Sequence, residues 1–139
     1  MSSWNDSLLI GVVLIDDQHR ELVKHLDELL EACHSGKGSS EVGHTLKFVV
    51  AYIHDHLKDE EELQALYAYP DMDAHKKLHA KFVQNTIDLM QELKSSKPCG
   101  DFTDKVRKML LGWFLTHIKT EDKKLGAYIQ ERAVSDAEN

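Results

Sequence analysis

The stretch HDHLKDEEE, residues 54 to 62, puts two histidines and five acidic residues into nine positions. The aliphatic strip LKFVVAYI (46 to 53) runs straight into it. A run this polar ordinarily marks a solvated helix face or a loop. The strip changes that expectation, because its apolar spacing predicts one helix continuing through both. Stepping by three and four from Tyr52 and Ile53 leads to His56, then to Glu60 and Leu63. Two polar residues of the nine therefore share the buried face. His54, Asp55, Lys58, Asp59, Glu61 and Glu62 are left to water or to groups that contact the buried pair.

Working outward, the spacing predicts four helices. One spans about 17–35, with Leu22, Leu26, Leu29 and Leu30 at helical intervals and an end at Ser35-Gly36. The second spans about 40–66 and carries Leu46, Val49, Val50, Ile53, Leu57 and Leu63. Tyr69-Pro70 closes it, because proline lacks a donor and restricts the residue before it. The third spans about 71–95, with Asp71 as N-cap and Leu78, Phe82, Ile87 and Met90 along one face. The break Ser95-Ser96-Lys97-Pro98 separates it from the fourth, about 102–131, capped by Asp101 and carrying Phe102, Val106, Met109, Leu110, Trp113, Phe114 and Ile118. Strand-like alternation is weak throughout. Residues 1–15, with Trp4, Leu8, Leu9, Val12, Val13 and Ile15, are too apolar for a free tail and are expected to form an ordered arm. The fold class expected is all-α, an up-down-up-down four-helix bundle with that arm lying on it.

Composition agrees with a single domain over 1–139. Apolar residues make up 42% and charged residues 29%, ordinary for a soluble globular chain. A formal charge of −7 with no Lys/Arg cluster argues against nucleic acid as a partner. No apolar run reaches membrane-spanning length, so membrane insertion is not expected. The N-terminus MSSWND lacks a signal-peptide layout, and Cys33 and Cys99 read as free thiols of a cytoplasmic protein. Both lie toward the same bundle end, where they could approach each other. The unusual quantity is histidine, nine in 139 residues.

The bundle topology gathers those histidines. The starts of helices one and three share an end with the finishes of helices two and four. His19, His75 and His79 sit near the former; His56, Glu60, His117, Glu121 and Asp122 sit late in the latter. At about 1.5 Å per residue, all lie within roughly 15 Å of one end. His56 with Glu60, and His75 with His79, are spaced i,i+4 and project from one face. Burying several imidazoles and carboxylates costs heavily unless something positive neutralises them, and a metal cluster does so. With no cysteine nearby a structural zinc site is disfavoured, and calcium or magnesium would require more oxygen. Imidazole with carboxylate suits iron, manganese, copper or zinc. Seven donors are too many for one ion, and two bridged ions fit the count. HExxH is absent, which removes a zinc-protease reading. A ferritin-like centre needs Glu-x-x-His; the two matches, Glu31 to His34 and Glu41 to His44, flank Gly36 at the opposite end. His25 and His54 fall off the convergent faces.

Trp4, GVVLIDDQH (11 to 19), HLKDEE (56 to 61), YPDMDAHKKLH (69 to 79) and WFLTHIKTED (113 to 122) occur in this order, and along nearly the whole chain they resemble hemerythrin, particularly the bacterial hemerythrins. The resemblance implies two Fe ions with a bridging oxo or hydroxo group. It implies His75, His79 and His117 on one iron, His19 and His56 on the other, and Glu60 and Asp122 bridging both. It further implies that O2 binds at the iron with fewer histidines, as a hydroperoxide that keeps a hydrogen bond to the bridge. Ideal periodicity favours Glu121, about 40° around from His117, over Asp122 at about 140°. Asp122 reaches in if it approaches the bridge from the side or if the helix is locally widened there.

Two positions depart from the family pattern: Leu57 stands where Phe is usual, and Gln64 where Met is usual. Gln64 follows Glu60 by one turn, placing an amide near the pocket or turned to solvent. Trp113, one turn before His117, could wall the pocket or belong to the core. The leading functional expectation is an O2-binding protein for storage, delivery or buffering, not an enzyme. The alternatives are a di-iron peroxidase or nitric oxide reductase, with Gln64 or Tyr67 as proton source, and an O2 or redox sensor acting through the arm or the tail RAVSDAEN.

Overall fold

The computed structural model describes residues 2–36, 38–95 and 100–138, with side chains through residue 133. Among the described residues there are four long helices and no strand. These are α1 (Val13–His34), α2 (Ser39–Leu66), α3 (Met72–Ser95) and a composite fourth helix, α4. The last is built of consecutive segments: α-helical at Gly100–Val106, π-helical at Arg107–Gly112, α-helical at Trp113–His117, π-helical at Ile118–Asp122 and α-helical at Lys123–Glu138. Backbone angles at the junctions stay right-handed helical, so the chain does not break there. α1 packs on α2, α2 on α3, and α4 closes the bundle against α1 and α3. The core is one column of fully buried side chains. Leu22, Leu26 and Leu29 meet Leu46, Val49 and Ile53, with Phe82 and Leu89 opposite and Phe102, Val106, Leu110, Phe114 and Ile118 along α4.

Two sequence expectations shift. α1 begins at Val13 rather than near 17, because the Asp16 carboxylate reaches back to accept from the backbone N–H of Ile10 (2.8 Å) and Gly11 (3.1 Å). Those donors precede the helix and would otherwise lack a partner. On α3, Ile87 is 40% exposed. The buried face runs His75, His79, Phe82, Thr86, Leu89, steps of four, three, four and three that pass Ile87 by.

The arm is ordered from Ser2 onward. Ser3 donates to Asp27 from its N–H (2.8 Å) and its hydroxyl (2.6 Å), and Leu8 and Ile10 are buried. Gly11 turns the chain with φ of +88°, a region open to glycine. The arm then crosses α4 at Gly126, where a Cβ would stand 2.2 Å from the carbonyl oxygen of Ile10. Only glycine permits that crossing.

The α2–α3 turn sets the site's geometry. Tyr69 N–H donates to Gln64 O (2.9 Å) and Ala68 N–H to Ala65 O (3.1 Å), the paired bonds of a Schellman end. Ala68 takes the left-handed position, φ +51°, where glycine is usual. Tyr128 clamps it, its hydroxyl donating to Tyr67 O at 2.8 Å and Ala68 O at 3.1 Å. α2 thus ends at Leu66, ahead of the Tyr69-Pro70 boundary, and Tyr69 is buried beside His75. The break at 96–99, including Cys99, lies outside the described residues.

Candidate metal centre

The bundle brings His19 of α1, His56 and Glu60 of α2, His75 and His79 of α3, and His117 and Asp122 of α4 to one level. All seven are buried, none more than 5% exposed. Their inward atoms fall into two sets. In the first, the Nε2 of His75 lies 2.9 Å from Glu60 Oε1, 3.0 Å from Asp122 Oδ1 and 3.1 Å from His117 Nε2. His79 Nε2 lies 3.2 Å from Glu60 Oε1, and His117 Nε2 3.1 Å from Asp122 Oδ1. In the second, His56 Nε2 lies 3.2 Å from Glu60 Oε2, while His19 Nε2 lies 3.0 Å from Asp122 Oδ2 and 3.7 Å from Glu60 Oε2. Each carboxylate therefore turns one oxygen to each set. Three imidazoles and two oxygens face one another on one side, two imidazoles and two oxygens on the other.

The choice between Glu121 and Asp122 follows from the backbone. The π turn at Ile118–Asp122 begins directly after His117, and i→i+5 bonding brings residues five apart onto one face. Asp122 is fully buried, whereas the Glu121 side chain is 32% exposed and pairs with Lys124 at 3.8 Å. The second π turn, Arg107–Gly112, has a visible support: Asn85 of α3 donates through Nδ2 to the carbonyl of Met109 (3.0 Å).

The donor set could hold a cation. Gln18 Nε2 donates to Asp59 Oδ2 (2.8 Å), which fixes the amide so that its Oε1 faces His56 Nδ1 (2.8 Å). That oxygen only accepts, so His56 carries its proton on Nδ1. Glu61 Oε2 fixes His79 in the same way at 2.9 Å. Burial keeps His56 neutral, and so oriented it points the lone pair of Nε2 at Glu60 Oε2, 3.2 Å away. Lone pair facing lone pair in a buried site is repulsive, and a cation between them reverses the sign. The buried His19 Nε2, His79 Nε2, Glu60 Oε2 and both Asp122 oxygens make no aligned hydrogen bond. Donors about 2.1 Å from an ion and at right angles lie roughly 3.0 Å apart, the spacing found here. Two groups of such donors are present, Glu60 with His75, His79, His117 and Asp122, and His19 with His56 and Glu60.

Without an ion the cluster balances its charge internally. Burial opposes protonation of His19 and His75, but Asp122 and Glu60 beside them raise both to about 9. Burial lowers His56, which stays neutral. Burial opposes ionisation of Glu60 and Asp122 too, and Glu60 adds repulsion at Asp122, yet the surrounding imidazoles hold both carboxyls well below their usual range.

Around the donors the walls are aromatic. Trp113 stacks on His117 with ring centres 4.8 Å apart and on Phe82 at 4.6 Å. Phe114 stands edge-on to His19 (5.4 Å) and His56 (6.1 Å). Gln64 is fully buried rather than turned to solvent, its Nε2 3.5 Å from Glu60 Oε1 and its Oε1 without a hydrogen-bond partner. Leu57 is buried beneath an outer groove between α2 and α3. His25 lies instead between Phe48, Tyr52, Glu21 and Glu28, His54 is exposed, and His34 accepts from Arg107 at 2.8 Å. None of these, nor His44, belongs to a donor group. Cys33 is half-buried, burial raising its thiol. Gln18 is the contributor that sequence reading missed, since its partners His56 and Asp59 sit on another helix.

The chain is similar to known proteins along most of its length. A family profile described as Hemerythrin HHE cation binding domain matches residues 10–129. A bacteriohemerythrin of Stenotrophomonas maltophilia (strain R551-3) is 33% identical over 120 residues, covering 86% of this chain and 76% of that protein. A myohemerythrin of Theromyzon tessulatum is 31% identical over 121 residues, covering 87% and 88%. A wild-type hemerythrin crystal structure superposes with a TM-score of 0.78 at 29% identity, covering 90% of this chain and 95% of that one.

Proposed function

This chain belongs to the hemerythrin family, and on that premise we propose that it holds two iron ions and binds O2 reversibly, for storage, delivery or buffering, rather than turning over a substrate. The ligands in this reading are His75, His79 and His117 for one ion, His19 and His56 for the other, with Glu60 and Asp122 shared. When bound, the iron pair with its oxo or hydroxo bridge supplies electrons to O2 and takes them back on release.

The observation that carries the reading is the unequal partition of donors. The His19/His56 side has one imidazole fewer than its neighbour, which leaves room for a small ligand. Phe114 stands against both imidazoles there. Every buried acid at the centre is used as a donor. A centre whose buried carboxylates are all taken up as donors favours binding and release over O–O cleavage. No helix among the described residues is long and apolar enough to cross a membrane.

The test is optical. Reduced, iron-loaded protein is exposed to O2 and then deoxygenated. A visible charge-transfer band that appears and then disappears, over repeated cycles, is the expected result. Rapid irreversible conversion to the ferric form, with turnover of peroxide or nitric oxide, would refute the carrier reading in favour of an enzyme.

A further inference from the structure

Two of the five inward imidazoles are held from behind, and by unlike groups. Behind His79 stands a full carboxylate, Glu61 Oε2, at 2.9 Å from Nδ1. Behind His56 stands a neutral amide, Gln18 Oε1, at 2.8 Å. Asp59 is only the next link, reached through Gln18 Nε2 at 2.8 Å. A carboxylate accepting the Nδ1–H pushes electron density onto Nε2 and makes it a stronger donor, while an amide does so less. The two holders also serve different halves of the centre, Glu61 the half with three imidazoles and Gln18 the half with two. One imidazole in each half lacks such a holder, since the Nδ1 atoms of His19 and His75 have no hydrogen-bond partner.

We propose that Glu61 and Gln18 are positioning residues that make the two half-sites unequal in metal affinity, so that the His75/His79/His117 half fills before the His19/His56 half. This rests on the metal-centre reading above. Donor count alone orders the halves in the same sense. The part owed to Glu61 and Gln18 is separated from it by exchanging their chemistry while leaving all seven donors in place. Glu61→Gln puts an amide behind His79. Gln18→Glu combined with Asp59→Asn puts a carboxylate behind His56, conserves net charge and supplies a donor to hold it.

The experiment titrates the chelator-stripped full chain with Co(II), read by calorimetry and by the visible absorption of bound cobalt. The wild-type chain is expected to take two ions in two resolved steps. Glu61→Gln is expected to weaken the first step about tenfold or more and leave the second within about twofold. The paired change at Gln18 and Asp59 is expected to tighten the second step about tenfold and leave the first unchanged. Glu61→Asp, which keeps the carboxylate, restores most of the first step. If Glu61→Gln does not fold, the paired change decides alone. Uptake of fewer than two ions by the wild-type chain overturns the metal-centre reading itself. Two ions with step affinities that the exchanges leave within about twofold, or that fall together in both variants as a loosened fold would produce, overturn this inference.

Discussion

Stripped of metal, this protein should lose stability as the solution turns alkaline, and the size of the loss follows from two histidines. His19 and His75 are held protonated by Asp122 and Glu60, which raise each to about 9 from the ordinary 6.5. A group whose folded pKa exceeds its unfolded one stabilises the fold fully below the unfolded value and ceases to do so as pH rises through the folded one. The window is therefore 6.5 to about 9. Each shift corresponds to about 3 kcal/mol. Because the two share the same carboxylates, their combined loss is expected between about 3 and about 6 kcal/mol. That is a large part of the roughly 5–15 kcal/mol that holds a domain together. Urea unfolding of chelator-stripped protein at half-unit steps from pH 6 to 9.5, followed by helical circular dichroism, measures it. The metal-loaded protein serves as control and should show no such loss, since cations replace those protons. In acid the sign reverses. His56 must gain a proton to unfold, and Glu60 and Asp122, held low, give up their contribution as pH falls below the ordinary carboxylate range. A metal-free unfolding midpoint that stays flat or rises between pH 6.5 and 9 would refute the charge arrangement argued here.

Other changes probe the centre and its frame. Asp122→Ala should abolish binding of the second metal equivalent while Glu121→Ala leaves two ions bound; elemental analysis after gel filtration reads both, and the reverse pattern would sink the π-turn argument. Gln64→Met, which removes a buried amide whose oxygen has no partner, should slow conversion of the oxygenated form to the ferric form; an unchanged rate of decay of the visible band would show that the amide plays no part. Ala68→Gly relieves a left-handed φ and should raise stability by roughly 0.5–1 kcal/mol, read as a later urea midpoint with unchanged metal content.

Much of this centre was legible in the sequence because ligands in a bundle lie on the same faces as core residues. His56 and Glu60 extend the stripe of Val49 and Ile53, and His75 and His79 extend that of Phe82. A periodicity that reads apolar side chains reads them too. Asp122 was not legible from periodicity, since an ideal helix points Glu121 inward; the family motif named it, and the widened turn supplies the physical reason. Gln18 was not legible at all. Its importance comes from touching His56 across a helix interface, and nothing local to α1 marks it. Ile87 misled because it is aliphatic, although the face that includes His75 passes through Thr86 and Leu89.

Read from Phe102 onward, α4 buries Phe102, Val106, Leu110, Phe114, Ile118 and Asp122, each no more than 1% exposed. These are six positions at a strict interval of four. On an ideal α-helix every such step drifts about 40°, so five steps would carry the stripe roughly 200° and leave Asp122 facing away from Phe102. Each π turn accommodates one extra residue and takes back about 100°, and α4 has two. The drift and the corrections cancel. The fourth helix is thus an ordinary helix carrying two single-residue insertions, and the even beat of its buried residues is their trace. Deleting one residue between Ile118 and Asp122 would restore regular winding and leave the carboxylate four residues after His117, about 40° around from it and still on the buried face.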